Sequence, residues 1–554
     1  MTKIKFLLAF FLTPFLSNAQ NWIWAKSPFS PVETNVTDEG VATCIDPFGN
    51  MYGTGWFTSS SLAFNTTTLT YNGACMFLVK YDANGNELWV KKECGGTFDG
   101  GWSVTTDDLG NVIVSGYFSS PTIAIGSITL TNTNSFNDIF IIKYDSNGNV
   151  IWARSAGGNN DDEAVSVKTD PSGNIFVSGY FSSSTLTIGS YSLINSGSND
   201  IFLAKYSPSG TVLWARREGG PNNDYSSSVC TDAAGNAFIT GHFESLPITF
   251  GATTFTSMGS LLVKYDLNGN VIWAKSSGGL NKVIGSSVST DAAGNVFMLG
   301  SFKCDTLTVG STTLINANAP ALPGGATDDV FFAKYNPTGT FISANRIGGT
   351  LDDRGRSICT FSNGFYITGE FYSPSLIIGT YSLTPPFNAW DNAFIAKYTF
   401  SNNVVCASAL ASGGDDWIGL GVDQAGSAYI TGDFIPTPFI VGSNTLILND
   451  GPSSENIFFA KYSCELTGIN SISKDINKIL IYPNPNHGYF RVQIDKEIKN
   501  GKLILINSLG QKVYEQKIIQ GINDIKTNGI LLGLYYYAFL NDNQTFDSGK
   551  LIIE

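Results

Sequence analysis

The chain has 554 residues, 45 Asp and Glu against 32 Lys and Arg, a formal net charge of -13, and only 14% charged residues. So acidic a chain excludes a nucleic-acid binder, which needs a basic face for phosphates, and argues against adsorption to an anionic membrane surface. Hydrophobic residues at 43% and 59 glycines suit a large core of short strands joined by tight turns.

The N-terminus carries Lys3 and Lys5, an apolar run from Phe6 to Leu16, and the small residues Ser17-Asn18-Ala19. That order predicts a signal peptide over residues 1–19. No later apolar stretch, Ile530 to Leu540 included, reaches the ~20 residues of a spanning helix, so no transmembrane segment is expected in the mature chain.

Residues 20–464 carry a repeat of roughly sixty residues. Its clearest mark is Lys-Tyr, found seven times: at Lys80, Lys143, Lys205, Lys264, Lys334, Lys397 and Lys461. In the third copy a first strand at Ala164 to Asp170 meets the turn Asp170-Pro171-Ser172-Gly173. A second strand, Ile175 to Phe181, ends in Gly-Tyr-Phe. A variable excursion leads to the third strand, Asp200 to Tyr206, and a second turn to the fourth, Val212 to Arg216. The Asp-x-x-Gly turns starting at Asp46, Asp107, Asp170, Asp232, Asp291 and Asp423 share a mechanism. The carboxylate accepts backbone N–H groups and Gly supplies a positive φ.

Strands such as Ile139-Phe140-Ile141-Ile142 are apolar on both faces, which places each sheet between two neighbours. Four-stranded sheets at a fixed period predict an all-β fold, a β-propeller. A linear solenoid would need polar caps at both ends. After Tyr462 no fourth strand follows, and Trp22-Ile23-Trp24-Ala25-Lys26 resembles the missing copy. It is expected to pair beside Phe458 to Tyr462 and close a seven-bladed ring, leaving no open edge.

Among the eight cysteines, Cys44, Cys230 and Cys359 recur at one place in three repeats and read as small core residues. Cys75 and Cys94 flank the Lys80-to-Trp89 hairpin. They can face each other as a disulfide, or be put on opposite faces by a one-residue bulge.

The pattern T-D-x-x-G-N-x-x-x-x-G-x-F, followed by F-x-A-K-Y and W-A, resembles the seven-bladed β-propeller repeats of secreted bacterial proteins over residues 22–464. Ala344 and Cys406 stand where that pattern has Trp. The resemblance implies the fold and little about the ligand.

Beyond a linker over 465–478, residues 479–554 read as a small β-sandwich of short apolar strands split by Gly, Asn and Pro. Tyr482-Pro483-Asn484-Pro485, Gly488, Leu509-Gly510-Gln511, Gly533-Leu534-Tyr535 and Gly549-Lys550 follow in order. They resemble the type A C-terminal sorting domain of the type IX secretion system of Bacteroidetes. The resemblance implies the type IX machinery as a partner and export across the outer membrane. It also implies removal of the module, and a product released or held at the cell surface.

Catalytic sets are sparse. His242 and His487 are the two histidines, and no nucleophile elbow or P-loop is present. Asp38, Asp99, Asp162, Asp224, Asp353 and Asp415 occupy one place before the first strand, with Val283 interrupting the series. They predict either a ring for a cation such as calcium or a cationic ligand, or local ties to the Gly-Gly loops. No other cofactor is expected. Asp82-Ala83-Asn84-Gly85-Asn86 resembles the start of a calcium loop but lacks the closing acid, so a plain turn is expected.

The favoured function is a non-enzymatic binding or adhesion scaffold for a glycan or a protein, with the excursions between second and third strands as its surface. The longest excursion, Asn316 to Thr327, is stiffened by Pro320 and Pro323. Trp56, Tyr117, Tyr180 and Trp390 are candidates for stacking on sugars. The alternative is an extracellular polysaccharide hydrolase or lyase, which requires paired carboxylates.

Overall fold

The computed structural model describes residues 21–31, 33, 36–71, 73–132, 134–278, 282–319, 327–385, 392–411, 418–435, 439–442, 444–446, 454–464, 480–482, 488–494, 500–507, 511–527, 529–541 and 544–553. The signal-peptide and linker expectations lie outside them, as do Asp415, His487, Pro320, Pro323 and Trp390. So do Pro483, Asn484, Pro485 and Gly510 of the sorting motifs. The chain divides into two compact units after Cys464.

Among the described residues the larger unit holds seven four-stranded antiparallel sheets. In the third, strands Asp162–Thr169, Ile175–Phe181, Asp200–Tyr206 and Val212–Glu218 lie side by side in that order. The turn works as its residues require. Ser172 N and Asn174 N both donate to Asp170 Oδ1 at 2.9 Å, and Gly173 sits at φ 76°, which a Cβ would strain.

The third strand is buried along its length, at every position in Asp138–Tyr144 and at all but the Lys in Asp329–Tyr335 and Asn392–Tyr398, because a sheet covers each face. Clusters therefore span consecutive sheets: Ile113, Ile139 and Ile141 pack against Val167, Ile175 and Val177. Each such aliphatic side chain stabilises by about 1.5–3 kcal/mol. First strands lie next to one another. Thr169 Oγ1 donates to Thr106 O at 2.7 Å, Thr231 to Thr169 O at 2.8 Å, and Thr290 to Thr231 O at 2.8 Å. This repeated layering is that of a β-propeller.

Lys-Tyr marks a joint between sheets. Lys143 Nζ lies 2.9 Å from Asp107 Oδ2 in its own sheet and donates to Pro208 O in the next at 3.3 Å. Trp152 Nε1 donates to the same carbonyl at 3.1 Å. The N-terminal strand Asn21–Lys26 pairs antiparallel with Asn456–Ser463, Trp22 opposite Tyr462 and Trp24 opposite Lys461. Trp24 Nε1 and Lys461 Nζ both donate to Ala83 O of the first sheet, at 3.3 and 3.2 Å. Tyr429, Ile457 and Phe459 pack against Met51, Phe57 and Val79.

Three expectations change. The residue opposite Lys334, where other copies carry Trp, is Ser343 and not Ala344, because the hairpin register sets the partner nine residues on. The variable excursion is a two-stranded hairpin in every repeat, such as Thr185–Ile188 with Tyr191–Ile194. Leu186, Ile188 and Leu193 on it are buried, so one face of it packs as scaffold; residues 320–326 of the longest excursion lie outside the described residues. Cys406, opposite Lys397, is bonded to Cys464, a pairing the sequence did not suggest.

The choice left open for Cys75 and Cys94 resolves as a disulfide. The strands do carry a bulge, between Lys80 and Tyr81, but it aligns Lys80 with Trp89 and so brings the two cysteines opposite each other. Cys230 is buried, whereas Cys44 and Cys359 are partly exposed; all three line a central cavity as free thiols.

The smaller unit is a sandwich, as expected. Strands Leu480–Tyr482, Tyr489–Ile494 and Gly521–Lys526 form one sheet. Lys512–Lys517, Lys502–Ile506, Gly533–Asn541 and Gln544–Ile553 form the other. Phe490, Val492, Leu503, Leu505, Phe539 and Leu551 fill the space between. The carbonyl of Gly488 accepts from Thr527 N at 2.9 Å, and Tyr535 donates to Leu531 O at 2.6 Å. Gly549 and Lys550 sit opposite Tyr537 and Tyr536.

Candidate functional site at the channel mouth

The first strands of all seven sheets line one cavity of about 1130 Å³. A local irregularity aims residues into it. Each first strand of sheets one to six carries a bulge after its third residue, leaving Val41, Trp102, Val165, Ser227, Ser286 and Arg356 without a ladder partner. All six line the cavity, as bulged residues at functional rims do. The Gly of Gly-x-Phe lies where the bulge crowds the neighbouring strand. A Cβ on Gly179 would overlap the carbonyl oxygen of Glu163, and one on Gly241 that of Tyr225.

At the end of the channel where these strands begin, the variable residue of Gly-x-Phe meets the second residue of the first strand. The pairs are Trp56 with Glu39, Tyr117 with Gly100, Tyr180 with Glu163, His242 with Tyr225, Ser301 with Ile284 and Glu370 with Arg354. One arc of this mouth is aromatic. Trp102 lies 5.5 Å from Trp56 and 6.0 Å from Tyr117, centroid to centroid. Tyr225 lies 4.9 Å from Tyr180 and 5.0 Å from His242, stacked on the latter. Tyr117, Tyr180, Tyr225 and His242 are partly exposed and line the cavity.

Polar groups close the arc. The Tyr180 hydroxyl donates to Glu163 Oε2 at 2.6 Å and Asn137 Nδ2 to Glu163 Oε1 at 3.2 Å. Burial still holds the Glu163 carboxyl above the usual carboxylate range, against those two hydrogen bonds. Arg356 pairs with Glu370. Asn199 Nδ2 donates to the Tyr225 hydroxyl at 2.9 Å. His242 is pushed down to about 4, first by burial and then by the nearby Lys282 ammonium, so its ring is neutral at pH 7. It is better placed to stack than to act as a base.

The recurring aspartates are not brought together. Asp38, Asp99, Asp162, Asp224 and Asp353 are fully buried, one at the head of each first strand. Each is engaged locally. Gly95 N, Gly220 N and Gly349 N donate to Asp99, Asp224 and Asp353 at 2.6, 2.9 and 2.6 Å. Ser120, Ser183 and Ser373 hydroxyls donate to Asp99, Asp162 and Asp353 at 2.8, 2.7 and 2.8 Å. Ser59 N and Ser245 N, each at 3.1 Å, serve Asp38 and Asp224. These five carboxylates thus tie down the loops and strands beside them. Among the described residues no three His, Cys, Asp or Glu side chains gather as a metal site. Asp82 likewise closes a plain turn, accepting Asn84 N and Asn86 N at 2.9 and 2.8 Å.

Trp56 is buried, whereas Tyr117 and Tyr180 reach the cavity. The sequence reading missed Trp102, Glu163, Tyr225, Lys282 and Arg356. The available signal was variability at fixed repeat positions, read there only for Gly-x-Phe.

This chain is a β-propeller protein with a type IX secretion sorting module. Residues 480–554 match the family "Secretion system C-terminal sorting domain". An uncharacterized WD repeat-containing protein of Acanthamoeba polyphaga mimivirus is 25% identical over 467 residues, covering 70% of this chain and 33% of that protein. The regulatory protein FlaEY of Caulobacter vibrioides is 25% identical over 138 residues, covering 24% of this chain and 14% of that protein. The chain thus spans at most about a third of these curated relatives. Among solved structures, the Neurospora crassa Pan2 WD40 domain has TM-score 0.40 at 9% identity, covering 80% of this chain and 95% of that one. PorZ, a surface component of the type IX secretion system of Porphyromonas gingivalis, has TM-score 0.29 at 11% identity, covering 92% and 74%. The sorting module implies export to the cell surface or beyond and an encounter with the type IX machinery. Among the described residues no helix is long and apolar enough to cross a membrane.

Proposed function

We propose that this chain is a secreted, non-enzymatic binding propeller, and that its aromatic channel mouth holds a glycan. In this reading residues 1–19 direct the first export step, and strand Asn21–Lys26 completes the last of seven blades in a closed ring. The type IX machinery then delivers the chain through its C-terminal module. The observation that carries the reading is the convergence of the variable positions Tyr117, Tyr180 and His242 on one mouth, where with Trp102 and Tyr225 five partly exposed rings line a cavity. Flat rings beside Asn and Glu side chains suit sugars, whose C–H faces stack and whose hydroxyls need such partners.

A glycan array with the mature protein tests this. Binding is expected, is lost in Tyr225→Ala at unchanged melting temperature, and survives EDTA, since the recurrent aspartates are engaged locally. No glycan bound, or turnover of any polysaccharide by the purified chain, overturns the proposal.

A further inference from the structure

The charges at the mouth are unequal. Glu163 is met by Tyr180 and Asn137, and Arg356 by Glu370. Lys282 lies at the head of the fifth sheet, lines the same cavity and is exposed. No carboxylate comes within salt-bridge reach of it among the described residues. Its ammonium is close enough to His242 to act on that ring electrostatically, and His242 stacks on Tyr225. A further carboxylate here, Glu244, has Asn223 Nδ2 at 3.4 Å, and both line the cavity.

We propose that the ligand is an anionic glycan, with a sugar ring against Tyr225 and His242 and its carboxylate or sulfate on Lys282. The inference rests on the glycan reading above and adds the charge of the sugar. Tyr225 and His242 are stacked on each other, and the apolar ring surface they leave open to the cavity can receive a pyranose ring. Glu244 and Asn223 offer an acceptor and a donor for its hydroxyls. An anion is the complement of an ammonium with no carboxylate in reach among the described residues, on a protein whose net charge of -13 otherwise repels it, so Lys282 selects rather than steers. A neutral His242 imidazole stacked on Tyr225 leaves the stacking surface uncharged. Carboxylated and sulfated sugars share this chemistry.

The test is titration of the full mature chain with a galacturonic acid tetramer, its methyl ester, and a sulfated galactose tetramer. An exposed ion pair gives up to about 1 kcal/mol, or about fivefold in affinity. The acid is therefore expected to bind about three- to fivefold tighter than the ester. That preference vanishes in Lys282→Gln, returns in Lys282→Arg, and fades at high salt. A stronger response to the sulfated tetramer alone assigns the anion as sulfate. Equal binding of all three overturns the inference and leaves the glycan reading standing. Binding of none of them, with no glycan retained on an array, removes both.

Discussion

Lys143 shows how one side chain joins two sheets. It is buried, faces the Asp107 carboxylate at 2.9 Å and donates to Pro208 of the next sheet. Burial alone would raise Asp107, but Asn111 and Lys143 outweigh it and hold the carboxyl below its usual range. Lys143→Met strands that charge, and a loss of about 3 kcal/mol in guanidinium denaturation is expected. Asp162 behaves oppositely: burial, opposed by Ser183, pushes it up to about 7 from 3.8. In the unfolded chain it releases its proton first, so the folded state binds more protons between about pH 4 and 7. Its contribution is therefore full below pH 4, falls as pH rises through that window, and stays low above 7. Asp162→Asn should flatten that decline in melting temperature measured from pH 4 to 8.

Among the elements, Asn21–Lys26 is the one whose role sequence spacing anticipated best. Trp24 repeats the part of Trp152: it lies opposite the Lys of Lys-Tyr and donates to a turn carbonyl of the following sheet. Deleting residues 21–26 should lower the melting temperature sharply, and Trp24→Ala should cost about 3 kcal/mol. An unchanged melting curve of the deletion would refute ring closure by this strand. The sixth sheet departs from the pattern. Its turn has no Asp, its Lys397 lies over Phe361 in addition to the second-strand ring, Tyr366, that other copies also offer, and Cys406 replaces the Trp. A bond to Cys464 ties it to the end of the seventh sheet's third strand. Joining residues 58 apart restricts the unfolded chain, so Cys406→Ser should cost about 4 kcal/mol on the loop-entropy model. Comparing reduced and oxidised wild-type protein by denaturation checks it.

For the whole molecule, the sorting module and the proposed binding mouth fall on separate units of the chain. Removing residues 470–554 is expected to leave the protein in the periplasm, measured by cell fractionation; normal secretion would refute the sorting role. The repeat was legible because every sheet needs the same turn, buried third strand and joining Lys. The hairpins hid in plain sequence, since short strands with intervening Gly read equally well as loops until Leu186 and Ile188 are seen to be buried. The Ser partners of the recurrent Asp residues, some twenty residues away in sequence, were not legible, because only the pairing of first and second strands brings them together.

What sequence alone determined is periodic: the strands, the turns, the sheet count and the sorting module, because local backbone chemistry repeats whenever the same local structure is built. The mouth is different. Trp102, Glu163, Tyr225 and Lys282 come from three successive repeats and a fifth-sheet edge, and share no motif. A bulge in the first strands of sheets one to six and the packing of sheet on sheet decide that they meet, and those are properties of tertiary geometry.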